Sequence, residues 1–166
     1  MATFDELLEA NRSYAESFEK GNLPAPPARR VAVVTCMDAR MHPEEFLGIE
    51  PGGAHMIRNA GGRVSEDAIR SLVISQRLLG TNEVVVIHHT DCGLMTFDNE
   101  DLAAKIREDL DVDASGHDFL TFKNLEQSVR DDVETLENSD LIPNDVTISG
   151  AVYEVETGKL REVVRA

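Results

Sequence analysis

Two cysteines and one histidine are the side chains of this sequence best suited to act together: Cys36, and the pair His89 and Cys92 in His89-Thr90-Asp91-Cys92. Thiolate sulfur and neutral imidazole nitrogen are donors that Zn²⁺ prefers. Three of them leave the fourth tetrahedral position free, which distinguishes a catalytic from a structural centre. A structural zinc would take a fourth Cys or His; the chain has no third cysteine, and His42, His55, His88 and His117 are the remaining histidines. By type and spacing alone, the same residues also fit two packed cysteines with a satisfied core histidine. A thiol oxidoreductase is a further reading, although Cys36 and Cys92 lack the local Cys-x-x-Cys arrangement that usually tunes such a pair. Cys36-Met37-Asp38-Ala39-Arg40 adds a carboxylate and a guanidinium just beyond the first thiol. Paired, Asp38 and Arg40 would present an oriented hydrogen-bond acceptor beside a metal; as a bare loop ion pair they would contribute little.

Such a site needs elements that carry Cys36 and the His89-Cys92 pair to one place. Val31-Ala-Val-Val-Thr35 precedes the first thiol and Glu83-Val-Val-Val-Ile87 precedes the pair, and both read as strands covered on two faces. The carboxyl ends of parallel strands line the ligand crevice of an open sheet, so distant segments meet there. Around these strands, Phe4, Leu7, Leu8, Tyr14 and Phe18 predict an amphipathic helix from Thr3 to Lys20, capped by Thr3 and stopped at Gly21. Three prolines keep the segment 22–30 from being helical. A short helix near Pro43 to Leu47 and a turn at Pro51-Gly52-Gly53 lead to a strand at His55 to Arg58. Ser65 caps a helix that runs to Leu79 and ends at Gly80. From Glu100 to about Asp140 the sequence is polar and helical, broken near Asp113 to Gly116, with a stripe of Leu125, Val129, Val133 and Leu136. Asp145 to Val155 is a fourth strand, turned at Thr157-Gly158 into Lys159 to Val164 as a hairpin. The expectation is an α/β fold: a mostly parallel β-sheet flanked by helices, with an antiparallel C-terminal edge strand. It occupies a single domain over residues 1–166, of which 1–30 form an N-terminal helical arm.

Composition narrows the partners. No apolar run approaches the ~18 residues of a membrane span, and the first six residues lack the basic start and apolar middle of a secretory signal. A cytoplasmic protein is expected, and two cysteines are too few for a disulfide framework. Thirty-one acidic residues against 16 basic ones leave a net charge of −15. With no basic stripe, nucleic acid and anionic membrane surfaces are excluded as partners. Lysine is scarce (Lys20, Lys105, Lys123, Lys159). The acidic surface fits either an ordinary soluble protein or one from a high-salt cytoplasm, where ionic strength screens the repulsion.

Taken together, Cys36-x-Asp38-x-Arg40 and His89-x-x-Cys92-Gly93 resemble the paired motifs of the β-class carbonic anhydrases, in particular the small archaeal and actinobacterial-type members. Cys-Met-Asp-Ala-Arg-Met at 36–41, Ile-Arg-Asn-Ala-Gly-Gly at 57–62, His-Thr-Asp-Cys-Gly at 89–93 and Gly150-Ala-Val-Tyr-Glu-Val-Glu-Thr-Gly158 extend the likeness over roughly Val31 to Val164. Gly53 departs from it, standing where an acidic residue is expected, and between Cys92 and Asp145 only length and helical character match. The resemblance implies one Zn²⁺ per chain on Cys36, His89 and Cys92, and reversible hydration of CO₂ to bicarbonate and a proton. Zn²⁺ lowers the pKa of the water it binds, giving hydroxide for attack on CO₂. Asp38 would accept that nucleophile's hydrogen bond, with Arg40 keeping Asp38 ionised and positioned. In some members the equivalent aspartate instead binds the metal and closes the site. A homodimer or higher homo-oligomer is also implied, with the N-terminal helix reaching across to a partner. Arg58 to Gly62 would support the site from behind. His88 should point away from it, His42 should be an exposed loop residue, and Gly93 should let the chain turn tightly after Cys92. Two rivals share the scaffold: a CS₂ or COS hydrolase, and a catalytically silent zinc-binding homologue, against which the intact Asp38–Arg40 pair speaks.

Overall fold

The apolar β-branched runs do form strands, and the computed structural model, which describes residues 2–165, arranges them in a single sheet. The strands are β1 (Val31–Cys36), β2 (Ala54–Asn59), β3 (Glu83–His89), β4 (Thr147–Glu154) and β5 (Lys159–Val164). Their order across the sheet is β2-β1-β3-β4-β5. The first four are parallel, and β5 runs antiparallel to β4. All six residues of β1 are buried, as two covered faces require. The sequence-based architecture is therefore the observed one. The first three strands extend further than expected, because ladder pairing continues through Cys36 opposite Asn59 and through His89 opposite Tyr153, whereas β4 is shorter than the expected span from Asp145 to Val155. Cys36 and His89 are thus the last residues of their strands, held by the sheet itself.

The helices are α1 (Thr3–Glu16), α2 (Pro43–Phe46), α3 (Glu66–Leu79), α4 (Asn99–Leu110) and α5 (Leu125–Glu137). Ser65 caps α3 by accepting from the Ala68 amide, and Gly80, at φ 75°, closes it in the left-handed conformation glycine favours. Ala68 and Leu72 of α3 and Val133 and Leu136 of α5 bury the main core against Ala32, Val34, Val84, Val86 and Ile148. On the opposite face Val33, Ile87 and Ala151 are buried with Phe46, Leu47, Met56 and Tyr153 packed against them.

Two helical expectations need correction. Helix α1 ends at Glu16 rather than Lys20, and its cap position is Ala2, with no side-chain cap; Thr3 lies within the first turn. It buries none of its residues. Without packing to extend it, the helix frays where Ser17 turns its hydroxyl back to the Tyr14 carbonyl. The break between α4 and α5 is also longer than expected, spanning 111–124, after Asp111 adopts φ 55° at the end of α4.

Candidate metal centre

The chain lays β2 on one side of β1 and β3 on the other. At such a switch point a crevice opens beyond the carboxyl ends of the strands. Cys36 ends β1, His89 ends β3, and the turn after β3 returns Cys92 to the same place. One ligand atom from each of these three buried residues lies within 4.8 Å of the others. Among the described residues, none of His42, His55, His88 and His117 joins this cluster.

The orientation of His89 fits a metal. Its Nδ1 lies 2.8 Å from the Thr90 carbonyl, which can only accept, so the ring proton sits on Nδ1. Nε2 therefore carries a lone pair, yet it is buried and has no hydrogen-bond partner. An orphaned buried acceptor is costly, and beside two thiols a soft dication is the partner that would satisfy it. The thiols are poised accordingly. The hydrogen bond from Cys92 draws Cys36 down to about 4 despite its burial, with His89 adding to the effect. Cys92 is pushed up by the Cys36 thiolate that it serves and by burial.

Asp38 and Arg40 stand beside these ligands. Arg40 grips Asp38 through Nε to Oδ1 at 3.0 Å and Nη2 to Oδ2 at 2.8 Å, and its backbone amide adds a bond to Oδ1. These bonds hold the Asp38 carboxyl far below the usual carboxylate range. Asp38 Oδ2 lies 3.8 Å from His89 Nε2, so the oriented carboxylate faces the cluster. Arg58 props the loop from beneath, donating to the carbonyls of Cys36 at 2.9 Å and Asp38 at 2.8 Å. The Asn59 side chain is taken by the backbone of Arg63, so the Arg58–Gly62 segment supports the site, as expected. Gly62, at φ 68°, presses so close that a Cβ there would meet the Cys36 amide at 2.8 Å. Met41 and Phe122 are buried with the two cysteines, and Phe46, Leu94, Met95 and Tyr153 pack against them, giving the centre apolar walls.

His88 does point the other way. Its Nδ1 meets Ser128 Oγ at 2.7 Å and its Nε2 meets Asp132 Oδ2 at 3.1 Å, both on α5. His42 is exposed ahead of α2. Gly93 starts a short 3₁₀ turn, but its φ is not positive and a Cβ would meet nothing within 4 Å, so the turn does not demand glycine. Sequence reasoning missed Asp91, which also binds Arg40, and the Arg63–Asp132 pair behind the site. Asp91 carried a local signal, lying between two ligands. Arg63 and Asp132 are 69 positions apart and carried none.

The fold and the cluster define an α/β protein with three residues that could hold a metal ion at the switch point of its sheet. Comparison with known proteins is consistent with this. Residues 31–160 match the family model described as carbonic anhydrase. Beta-carbonic anhydrase 1 of Mycobacterium tuberculosis is 42% identical over 163 residues, covering 98% of this chain and 99% of that protein. The carbon disulfide hydrolase of Saccharolobus solfataricus is 41% identical over 182 aligned positions, covering 95% of this chain and 87% of that protein. The crystal structure of carbonic anhydrase from Streptococcus mutans superposes with a TM-score of 0.95 at 53% identity, covering 98% of both chains. The chain belongs to the β-carbonic anhydrase family, a family of zinc enzymes.

Proposed function

We propose that the protein catalyses the reversible hydration of CO₂ to bicarbonate and a proton, with one Zn²⁺ per chain held by Cys36, His89 and Cys92. The observation that carries this reading is the Asp38 carboxylate, fixed by Arg40 and aimed at His89 Nε2 from 3.8 Å. Zn²⁺ held by these three residues would lower the pKa of a bound water towards neutrality and so supply the nucleophile. The chain's own residues do the rest. Asp38, an acceptor only, takes the nucleophile's proton into a hydrogen bond and so turns a lone pair towards the substrate carbon. Arg40 keeps Asp38 ionised and engaged, so that its carboxylate would be held as a hydrogen-bond acceptor rather than released as a further ligand. Met41, Phe122 and their apolar neighbours surround the cysteines and suit an uncharged linear substrate better than an ion.

The same walls would admit CS₂ or COS, and the carbon disulfide hydrolase relatives favour this as the second reading. Both cysteines are free, as a reducing cytoplasm keeps them, and no helix among the described residues is long and apolar enough to cross a membrane. A homodimer or larger assembly is supported by α1, whose apolar side chains find no cover within the chain.

Zinc content and stopped-flow CO₂ hydration of the wild type, Cys36→Ser and Asp38→Ala test the reading. Cys36→Ser should lose the metal; Asp38→Ala should keep it and lose about 10- to 100-fold in activity. A zinc-loaded wild type without hydration activity between pH 6 and 9 would refute the proposal, and turnover of CS₂ by that protein would establish the second reading in its place.

A further inference from the structure

Arg40 has two carboxylate partners, and only one of them is on its own loop. Beyond the grip on Asp38, Nη1 donates to Asp91 Oδ2 at 2.7 Å and Nη2 donates to the Asp91 carbonyl at 3.1 Å. Asp91 lies between His89 and Cys92, on the other ligand-bearing segment. Both its side chain and its main chain are therefore turned to one guanidinium. Its backbone is also unusual: φ is 54°, in the left-handed region that non-glycine residues seldom occupy. Thr90, its neighbour, is tethered in a different direction, with its hydroxyl donating to Glu156 and accepting from the Val155 amide. The two residues between the ligands thus brace the turn from opposite sides.

An exposed ion pair on its own would hold little. The Arg40 side chain is 49% exposed, that of Asp38 18% and that of Asp91 69%, so the arrangement of the bonds, rather than the strength of any one ion pair, must do the holding. Arg58 holds the Asp38 main chain, but a guanidinium bound only to Asp38, two residues away, would have no tie to the segment that carries His89 and Cys92. The Asp91 contacts supply that tie, since a planar guanidinium engaged along two edges cannot turn without breaking bonds on both. We propose that Asp91 is a positioning residue: by gripping Arg40 with carboxylate and carbonyl, it fixes the guanidinium that aims Asp38 to the segment carrying His89 and Cys92. This role rests on the carbonic anhydrase reading for its catalytic consequence, but not for its geometric one.

The test is a double-mutant comparison of Asp91→Ala and Asp38→Ala, singly and combined, with Asp91→Asn beside them, because asparagine tolerates the left-handed backbone and keeps a neutral acceptor. Asp91→Ala should retain one zinc and lose about tenfold in kcat/KM for CO₂. Asp91→Asn should lose less. In the Asp38→Ala background, adding Asp91→Ala should change nothing further, because Asp91 acts through Arg40 on Asp38. The visible absorption band of the cobalt-substituted protein gives a readout independent of turnover: Asp91→Ala should alter it when Asp38 is present and leave it unchanged when Asp38 is absent. Wild-type kcat/KM in Asp91→Ala, or an equal loss in both backgrounds, overturns the proposal. If the zinc-loaded wild type hydrates no CO₂, the functional reading fails and the cobalt band alone decides the role of Asp91; an unmoved band then overturns it. Should Asp91→Ala not fold, Asp91→Asn takes its place in the same comparison.

Discussion

Adjacent histidines at the end of β3 have opposite work. His89 faces Cys36 and Cys92, while His88 turns to α5 and shares Asp132 with Arg63. Asp132 is 3% exposed and fully employed: it takes a two-pronged bond from Arg63, the Val64 amide and His88 Nε2. Burial opposes its ionisation, yet the bonds from His88 and Arg63 hold its carboxyl below the ordinary range. A carboxyl whose folded pKa is depressed adds stability above its unfolded value, near 3.9, and loses it as pH falls towards the folded value. Asp132→Ala should cost about 3 kcal/mol, because the largely covered Arg63 guanidinium, its side chain 12% exposed, loses its carboxylate partner. Asp132→Asn should flatten the acid side of the stability curve below about pH 4. Urea unfolding between pH 3 and 7 checks both, and an Asp132→Asn curve parallel to wild type would show that the pair contributes nothing through ionisation. The meeting of Cys36, His89 and Cys92 and the Asp38–Arg40 pair were legible in the sequence because each residue sits in a short motif of distinctive chemistry. Asp132 was not, because an aspartate inside the helical stripe of Leu125, Val129, Val133 and Leu136 looks the same whether it meets water or a buried arginine.

At the scale of elements, what fixes the site is how closely helix and loop approach the sheet. Strand, helix and turn types could be read from runs such as Glu83 to Ile87 and from stop signals such as Ser65 and Gly80. Strand ends and the reach of α1 could not, since pairing partners and missing packing set them. Distance between layers was equally hidden. A Cβ at Gly150 in β4 would meet Val129 Cγ1 at 2.5 Å and Val133 Cγ2 at 3.1 Å, both on α5. Valine side chains are stiff and offer no easy retreat. Gly150→Ala should therefore push α5 off the sheet and cost about 1–3 kcal/mol, which for a chain of this length lowers the melting temperature by roughly 2–4 °C per kcal/mol. The displaced α5 would carry Ser128 and Asp132 with it, loosening His88 behind the metal ligands. A thermal melt tests this directly: an unchanged midpoint would mean that α5 already has room to spare.

For the whole molecule, two properties pull in opposite directions. Helix α1 exposes Phe4, Leu7, Leu8 and Tyr14, with Phe18 just beyond it. Covering one such side chain fully is worth about 1.5–3 kcal/mol, so a surface that accepts the helix would gain substantially. A second copy of the chain is the candidate surface, but it carries the same −15. Bringing two such copies together is opposed over a Debye length of about 30 Å at 0.01 M salt, and over only about 3 Å at 1 M. The apolar gain does not fade with salt, whereas the repulsion does. Association and thermal stability should therefore rise together as potassium chloride increases from 0.01 to 1 M, followed by sedimentation velocity and by melting. A chain lacking residues 1–16 should stay smaller at every salt concentration and gain less stability, because only the repulsion within one copy is left to screen. Maximal stability in dilute buffer would end the high-salt reading of the acidic surface, and an unchanged assembly without α1 would show that other surfaces join the copies.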